Sequence, residues 1–300
     1  MRQKRAGWKA PLLIFLILCL LFQTGNLIYA VCFDAGRCRL PVLMYHHFVD
    51  AEESGADTVV TTSRFREQMT ALKEAGYQTV TIPQIIDYVE NGAALPRRPV
   101  LITMDDGYSS NLTEAAPILE ELGMCATVFV IGINEGEEYY AHSGEPLWLE
   151  RFAFEEAAPW VEKGVIDVQS HTYDMHQLVS YGYSGRDGVR RLEGESDEDY
   201  RQALFSDMEA FRRRREGRVA TELLALAYPF GYYTPEADEL LREAGYAVTF
   251  TIEEQTNWLQ TGDSGCLRMM GRINVIDGFS GEELVRQVNR YSGRFSVFSN

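Results

Sequence analysis

The stretch Val100-Leu-Ile-Thr-Met-Asp-Asp-Gly-Tyr108 decides how the rest of the chain is interpreted. Its first five residues are apolar or β-branched and predict a buried parallel strand, which Gly107 ends directly after two adjacent acids. Asp105 and Asp106 are therefore expected at the carboxyl end of the strand, where α/β folds place their sites. Both carboxylates reach one site only if the backbone turns beside them, and Gly107 allows such a turn. Taken alone, the motif is explained equally well as an acidic turn that stops a strand.

A second predicted strand leads into a loop with two histidines. Val165-Ile-Asp-Val-Gln-Ser170 has the composition of a buried strand and continues into His171-Thr-Tyr-Asp-Met-His176. Two histidines and one aspartate of the pair supply three protein ligands with an open fourth position, which is the composition of a catalytic zinc site. The other aspartate is then free to act as a base. The sequence thus predicts one divalent metal ion, with Zn²⁺ as the first choice.

Together these segments resemble the first two motifs of the NodB-type polysaccharide deacetylases, carbohydrate esterase family 4. The resemblance includes Pro41-Val-Leu-Met-Tyr-His-His-Phe48 and Ala227-Tyr-Pro-Phe-Gly231, and it covers roughly residues 40 to 276. It is closest to the branch that deacetylates poly-N-acetylglucosamine. It implies an α/β fold, a distorted (β/α) barrel, and a hydrolase acting on linear amide bonds. The implied reaction removes N-acetyl groups from an N-acetylglucosamine-containing cell-wall polysaccharide or exopolysaccharide.

The resemblance also implies a role for each residue of the two motifs. Asp106, His171 and His176 are expected to hold the metal ion, which lowers the pKa of a bound water to ~7 and polarises the acetyl carbonyl. Asp105 is expected to be the general base for that water, the nucleophile. The backbone N–H of Tyr108 is expected to be a second donor to the developing oxyanion.

Two parts of the usual family pattern are missing. Most relatives orient the base with an arginine two residues before the proline of the third motif, where this chain has Ala227. A late Leu-x-His segment that would supply the acid is also absent. His46 and His47 are neighbours on a predicted strand, so only one can face the site. Similarity to the Tyr-His of the relatives favours His46 as the acid, although a strand-end histidine is equally well explained as a structural residue. His142 lies in an apparent loop.

Two segments are expected to border the substrate. Tyr228, Pro229, Phe230 and Gly231 are predicted to bind it, because aromatic rings suit stacking on sugar faces, although an aromatic run after a strand equally suits a core. Residues 181–199 form a Gly-rich, charged insertion that is expected at the carboxyl face of the barrel, beside the substrate groove.

The ends of the chain divide it into three predicted parts. Residues 1–30 contain four basic residues and then the apolar run Pro11 to Phe22, and they predict an export signal, cleaved after Ala30 or kept as an anchor. Residues 31–39 form a short N-terminal segment, in which Cys32 and Cys38 are close enough for a disulfide that the spacing does not establish. Residues 40–300 form the single deacetylase domain, since predicted strands and helices alternate there. The protein is expected to be secreted or held at the outer face of the membrane or wall.

The net charge of −16 narrows the choice of partners. Nucleic acid is not expected, because phosphate binding needs the opposite sign. A neutral glycan raises no such conflict, contact with a membrane is expected only through the N-terminal segment, and the protein is expected to be a monomer. Two alternatives remain: a peptidoglycan or chitin-oligomer deacetylase, and a non-catalytic wall-binding protein on the same fold. Asp105 favours an enzyme, because a binding module needs no base beside the metal ligands.

Overall fold

The computed structural model describes residues 36–52 and 55–293. Contacts divide the chain into Met1–Cys38 and Arg39–Asn300, and the fold described below is that of the second unit. The predicted export segment and Cys32 lie outside the described residues, so the signal and the disulfide stay predictions. None of the helices in the described ranges has both the length and the apolar character of a membrane span.

The strands of the described residues are two to six residues long. In chain order they are β1 (Arg37–Leu40), β2 (Val42–Tyr45), β3 (His47–Val49), β4 (Val59–Thr61), β5 (Gln78–Thr79), β6 (Pro99–Met104), β7 (Ala126–Val130), β8 (Ile166–Ser170), β9 (Ala225–Ala227), β10 (Val248–Phe250), β11 (Asn257–Gln260) and β12 (Ile273–Asn274).

Helices alternate with these strands along the chain. They are α1 (Thr62–Glu74), α2 (Ile82–Asn91), α3 (Ala116–Leu122), α4 (Phe154–Glu162), α5 (Asp197–Arg215), α6 (Pro235–Glu243) and α7 (Gly281–Tyr291). A π-helical turn, Asn111–Ala115, precedes α3. Helix α2 begins with a capping box, in which the side chains of Thr81 and Gln84 bond each other's backbone N–H.

The central sheet is parallel and curls towards closure. Its order is β10-β9-β8-β7-β6-β2-β12, with β5 also paired to β6. The N–H of Met270 donates to the carbonyl of Thr249, and the carbonyl of Met270 accepts from Thr251, both over 2.8 Å. The chain entering β12 is thereby joined to β10 at the opposite edge of the order. The predicted α/β fold with a barrel-like parallel sheet is confirmed.

Strand β6 lies in the interior of the sheet, which explains its unbroken apolar sequence. All six of its residues are buried, because both faces of a parallel sheet are covered. Phe65, Met69 and Leu72 of α1 recur at helical spacing and are fully buried in the same core. The carboxyl ends of β6, β8 and β9 lie at one edge of the sheet, so the residues that follow these strands meet there.

The predicted strand from Pro41 to Phe48 is wrong as a single strand. It breaks at His46, because β2 pairs with β6 in the central sheet whereas β3 pairs with β4 in a separate two-stranded sheet. The alternation of faces along one strand therefore does not by itself decide how His46 and His47 are directed.

Candidate active site

The Asp-Asp-Gly turn follows directly on β6. Asp105 is buried, and Asp106 and Gly107 both have left-handed backbone, with φ of 74° and 71°. A non-glycine residue rarely holds this conformation, and such strain concentrates at functional sites. A Cβ on Gly107 would lie 3.1 Å from both methyl groups of Val130, so this position also needs glycine for space. The predicted turn thus begins one residue earlier than Gly107.

The turn brings both carboxylates to one imidazole. His171 Nε2 lies 4.0 Å from Asp105 Oδ2 and 3.6 Å from Asp106 Oδ1. His176 Nε2 lies 3.4 Å from the same Asp106 oxygen. The first two motifs, predicted from separate strand ends, therefore form one cluster.

The three predicted metal ligands have a spacing that fits a metal ion. Four-coordinate zinc with bonds of ~2.0–2.1 Å separates its ligand atoms by about 3.4 Å. The ligand atoms of Asp106, His171 and His176 lie within 4.8 Å of one another, and within the described residues no other group of three such side chains does so. Two imidazoles and a carboxylate are also a donor set that suits zinc. These residues can therefore hold a divalent ion.

His171 is oriented by the strand next to its own. Its Nδ1 lies 2.8 Å from the carbonyl oxygen of Ala227, so Nδ1 donates and Nε2 is left to face Asp106. Burial outweighs the opposing charge of Asp105 and lowers the pKa of His171 to about 4. The imidazole is therefore neutral near pH 7, which is the form that binds a metal ion.

Asp207 of α5 fixes the backbone of the histidine loop. Its two oxygens accept hydrogen bonds from the backbone N–H groups of Tyr173 and Asp174 over 2.8 Å and 2.7 Å. Burial raises the pKa of Asp207 to about 6, against the lowering effect of these bonds. Sequence reasoning missed this residue. The sequence feature that could have identified it is an acid on the core-facing side of α5, between Leu204 and Phe211.

Arg272 lies against Asp105, where the third motif supplies no arginine. Its Nη1 and Nη2 donate to the two oxygens of Asp105 over 2.7 Å and 2.8 Å, and its Nε donates to the carbonyl of Thr251 over 2.8 Å. Burial raises the pKa of Asp105, but the charges of Arg272 and His171 outweigh it and hold that pKa below its ordinary value. Arg272 thus orients Asp105 and keeps it ionised. Sequence reasoning missed Arg272. The sequence feature that could have identified it is its position directly before the short strand β12.

The two neighbouring histidines have different surroundings. His47 Nδ1 lies 2.9 Å from Ser110 Oγ, and burial together with the charge of Arg151 lowers its pKa. For Asp106, burial raises the pKa, but His176 holds it well below the usual range, and Arg151 and His46 add to that effect. The charge of His46 also lowers the pKa of Asp105. The imidazole of His46 therefore lies within electrostatic reach of both carboxylates, whereas His47 bonds a serine.

The backbone N–H of Tyr108, the predicted oxyanion donor, makes no hydrogen bond to another described residue. Its neighbours do: Ser109 N–H donates to Glu150 over 2.9 Å, and Phe152 N–H donates to Gly107 over 3.1 Å. Burial, together with the charge of Asp106, raises the pKa of the Tyr108 phenol. The N–H is thus held beside the predicted metal ligands and is available to a ligand.

The predicted substrate-binding segment is partly in the core and partly beside His176. Tyr228 is fully buried, donates to Asp238 over 2.5 Å and stacks on Tyr233, and Pro229 is also buried. The prediction that the Tyr228 side chain contacts sugar is therefore corrected: this ring belongs to the core. Phe230, whose φ is 55°, has its ring centre 4.3 Å from that of His176. A Cβ on Gly231 would lie 2.5 Å from Ile252, so this glycine allows close packing.

A cavity of about 370 Å³ is lined by Asp106, Tyr108 and His176. Its other walls come from the segment between β7 and α4, with Tyr140, His142 and Arg151, and from the residues after the histidine loop, with Tyr181 and Tyr183. Part of the predicted insertion therefore borders the cavity. The segment between β7 and α4 also exposes Tyr139 and Trp148, the latter by 88%.

One contact ties these two walls together. His142 Nε2 lies 2.7 Å from Asp174 Oδ1, and the imidazole stacks on Tyr183 with ring centres 5.0 Å apart. His142, which the sequence placed in a loop, is thus part of the cavity wall.

Comparison with known proteins finds similar sequences. A family model described as polysaccharide deacetylase matches residues 92–249. YxkH of Bacillus subtilis, whose name places it in the same family, is 28% identical over 243 residues, which are 81% of this chain and 74% of YxkH. The poly-beta-1,6-N-acetyl-D-glucosamine N-deacetylase of Escherichia coli is 26% identical over 227 residues, which are 70% of this chain and 33% of that enzyme. The chain thus spans about a third of the Escherichia coli protein.

The fold is similar to that of solved structures. IcaB from Ammonifex degensii superposes with a TM-score of 0.66 at 24% sequence identity, covering 84% of this chain and 97% of IcaB. At this identity the likeness establishes the fold.

Proposed function

Because this chain belongs to the polysaccharide deacetylase family, a family of hydrolases, we propose that it removes N-acetyl groups from an N-acetylglucosamine-containing polysaccharide in a metal-dependent reaction. The observation that carries the proposal is the cluster at the carboxyl edge of the sheet. Asp106, His171 and His176 have the spacing of metal ligands, and Asp105, held by Arg272, lies within 4.0 Å of one of them. A base beside a three-ligand site is the arrangement used by metal-dependent amide hydrolysis.

The metal ion is proposed to be zinc. When bound, it supplies Lewis-acid polarisation of the acetyl carbonyl and a water of lowered pKa. Asp105 takes the proton of the attacking water, because Arg272 keeps its carboxylate ionised and directed. The N–H of Tyr108 donates to the carbonyl oxygen as negative charge develops there. His46, whose charge acts on the pKa of both carboxylates, is proposed to donate a proton to the departing amine nitrogen.

The glycan is proposed to lie across the cavity next to the metal ligands. Phe230 packs on His176, and its ring centre lies 6.4 Å from that of Tyr181, which lines the cavity together with Tyr183. Aromatic faces of this kind suit the apolar faces of sugar rings. The name of the Escherichia coli relative favours poly-N-acetylglucosamine as the polymer. The product is cationic, and the acidic protein, with a net charge of −16, attracts it loosely.

The protein is proposed to act outside the cell membrane. Residues 1–30 would export it or anchor it, residues 31–39 would form a short N-terminal segment, and residues 40–300 would form one deacetylase domain acting as a monomer. An exported deacetylase meets polysaccharide where it is displayed, and the relative named for such a polymer supports this location.

Mass spectrometry on a panel of glycans tests the proposed reaction. Zinc-loaded protein should remove acetyl groups from poly-N-acetylglucosamine oligomers, and Asp105→Asn, purified in parallel, should not. Deacetylation of peptidoglycan fragments or chitin oligomers alone would overturn the choice of polymer. Glycan binding without any loss of acetyl groups in metal-loaded protein would instead support a non-catalytic wall-binding protein.

A further inference from the structure

Arg151 is a wall residue of the cavity whose guanidinium has no polar partner in the part of the chain that the structure describes. Within the described residues it makes no hydrogen bond or ion pair, and its Nε and Nη1 are buried without a partner. Buried guanidinium N–H groups are normally satisfied, because leaving one unpaired costs about 1–3 kcal/mol. The chain has 44 acidic side chains against 28 basic ones, so acidic partners are abundant elsewhere in the protein. Arg64, Arg191 and Arg215 also leave a buried Nε unpaired, but each of them bonds an oxygen through another guanidinium nitrogen. Arg151 differs from them because no nitrogen of its guanidinium has a partner among the described residues, and this difference points to a ligand.

The position of Arg151 is fixed relative to the catalytic turn. Its backbone forms an antiparallel bridge with Tyr108, flanked by the bonds from Ser109 to Glu150 and from Phe152 to Gly107. Its guanidinium carbon lies 3.7 Å from the centre of the Tyr108 ring. Stacking on a ring occupies the face of a guanidinium and leaves the N–H groups at its edge free for in-plane hydrogen bonds. The group is thus held in place without using its donors.

Arg151 also lies close to the metal ligands. Asp106 and His176 line the same cavity. Burial and His176 have the larger effects on the pKa of Asp106, and the charge of Arg151 also lowers it. A ligand group bound by Arg151 would therefore lie next to the reacting acetyl group.

We propose that Arg151 is a specificity-determining residue that binds a carboxylate in the cavity beside the metal ligands. A planar guanidinium with unpaired N–H groups matches the two oxygens of a carboxylate, which it binds more strongly than a neutral acceptor. The two acids that line the cavity have other partners, because Asp174 is bonded to His142 and Asp106 faces His171 and His176. The site is therefore a single cation with free donors in a partly enclosed pocket.

Two carboxylates can reach this position, and both rest on the proposed function. One is the acetate that hydrolysis of the N-acetyl group releases next to the metal ligands. The other is a carboxylate carried by the glycan itself, such as an acidic ether substituent on a sugar neighbouring the one that is deacetylated. Binding of a carboxylate to Arg151, by contrast, does not require turnover, so it is testable even if the proposed reaction is wrong.

Calorimetric titration of the zinc-loaded full chain tests the proposal. In the first arm acetate is the probe and acetamide is its neutral counterpart. In the second arm the probe is an N-acetylglucosamine oligomer that carries lactyl ether carboxylates, and its methyl ester is the neutral counterpart. Arg151→Gln should weaken the binding of one carboxylate probe by at least about tenfold, the value of a lost charged hydrogen bond, and leave its neutral counterpart unchanged. Zinc content is measured in every sample.

The control variant is Arg201→Gln. Arg201 also lies over an aromatic ring, that of Phe205, but it is paired with Glu243 away from this cavity. Arg201→Gln removes the same charge as Arg151→Gln and should change the affinity for each probe by less than about twofold. A loss confined to acetate identifies the product as the ligand, and a loss confined to the acidic oligomer identifies the glycan.

Three results would overturn the proposal. Carboxylate affinities of Arg151→Gln within about twofold of those of Arg201→Gln would show that Arg151 binds no carboxylate. Equal weakening of charged and neutral probes, or loss of zinc, would show that Arg151 acts only through Tyr108 or the metal ligands. If Arg151→Gln does not fold, Arg151→Lys keeps the charge and the stem but not the planar donors, and the same comparisons apply to it.

Discussion

Arg272 and Asp105, 167 residues apart in the chain, form a buried two-point ion pair with N···O distances of 2.7 Å and 2.8 Å. Arg272 is 1% exposed and Asp105 is 2% exposed. The pair therefore lies in the interior, with one face of the carboxylate turned to His171. Its geometry explains how a chain with alanine in the third motif still holds its proposed base in one orientation.

Replacing Arg272 with methionine should remove both activity and stability. The change leaves Asp105 buried and unpaired, which lowers the free energy of unfolding by about 3–5 kcal/mol. Arg272 lowers the pKa of Asp105 in the folded state, so its stabilisation is present above the unfolded pKa and is lost as the pH falls through the folded pKa. Urea unfolding should therefore show a smaller difference between the two proteins at acid pH than at pH 7.

Two further variants check this assignment. Arg286→Met removes an exposed ion pair with Glu282 and should change the unfolding free energy by less than about 0.5 kcal/mol. Combining Arg272→Met with Asp105→Asn removes the unpaired charge and should recover part of the lost stability. A double variant that is no more stable than Arg272→Met would mean that Arg272 acts through packing.

Asp105→Asn should fold and keep its metal ion but lose deacetylation by at least ~10²-fold, the usual contribution of a positioned base. The amide keeps the shape of the side chain, and Asp105 is not among the three proposed ligands. Turnover on an acetylated oligomer and metal content are measured on the same sample. Activity close to that of the unchanged protein, with metal bound, would remove Asp105 from the role of base.

Purified protein should contain close to one zinc ion per chain, and His171→Ala combined with His176→Ala should lose it. Both imidazoles face Asp106 Oδ1 at 3.6 Å and 3.4 Å, so their removal leaves one protein ligand. Metal analysis after dialysis is the measurement. The matched control is His142→Ala, because His142 lines the cavity but is not one of the three proposed ligands. This variant should keep its zinc. Unchanged metal content in the double variant would place the ion elsewhere.

His46→Ala should slow turnover strongly at unchanged metal content, whereas His47→Ala should act mainly through stability. The charge of His46 lowers the pKa of both Asp105 and Asp106, whereas the imidazole of His47 is hydrogen-bonded to Ser110. Turnover and thermal unfolding are compared for the two variants. The opposite pattern would exchange their roles. If neither variant is slow, the proton for the amine comes from water or from another group.

The carboxyl of Asp207 should make the protein less stable as the pH rises from about 4 to 6. Burial raises its folded-state pKa to about 6, against an unfolded value of about 3.9. The folded state binds the proton more tightly in this range, so the loss is at most about 3 kcal/mol. Asp207→Asn should flatten this part of the stability profile in urea unfolding. Glu198→Gln, an exposed acid on the same helix, should leave the slope as it is.

The sequence by itself determined which strands are buried and which residues stand at their ends. The apolar run before Asp105 and the one before His171 each predicted a parallel strand, and both are observed as β6 and β8. Because carboxyl ends of parallel strands lie at one edge of a sheet, the clustering of Asp106, His171 and His176 followed from local patterns together with the family resemblance.

Only the tertiary structure decided which side chains support these residues. Arg272 reaches Asp105 because the chain entering β12 joins β10 and closes the sheet, and no local pattern encodes that closure. The same holds for Asp207, whose helix packs against the histidine loop. Tyr228, which directly follows β9, is in the core because its phenol bonds Asp238 of α6, although its sequence suits a sugar-binding wall equally well. Local periodicity specifies the elements and their ends, whereas contacts between distant segments depend on how the barrel closes.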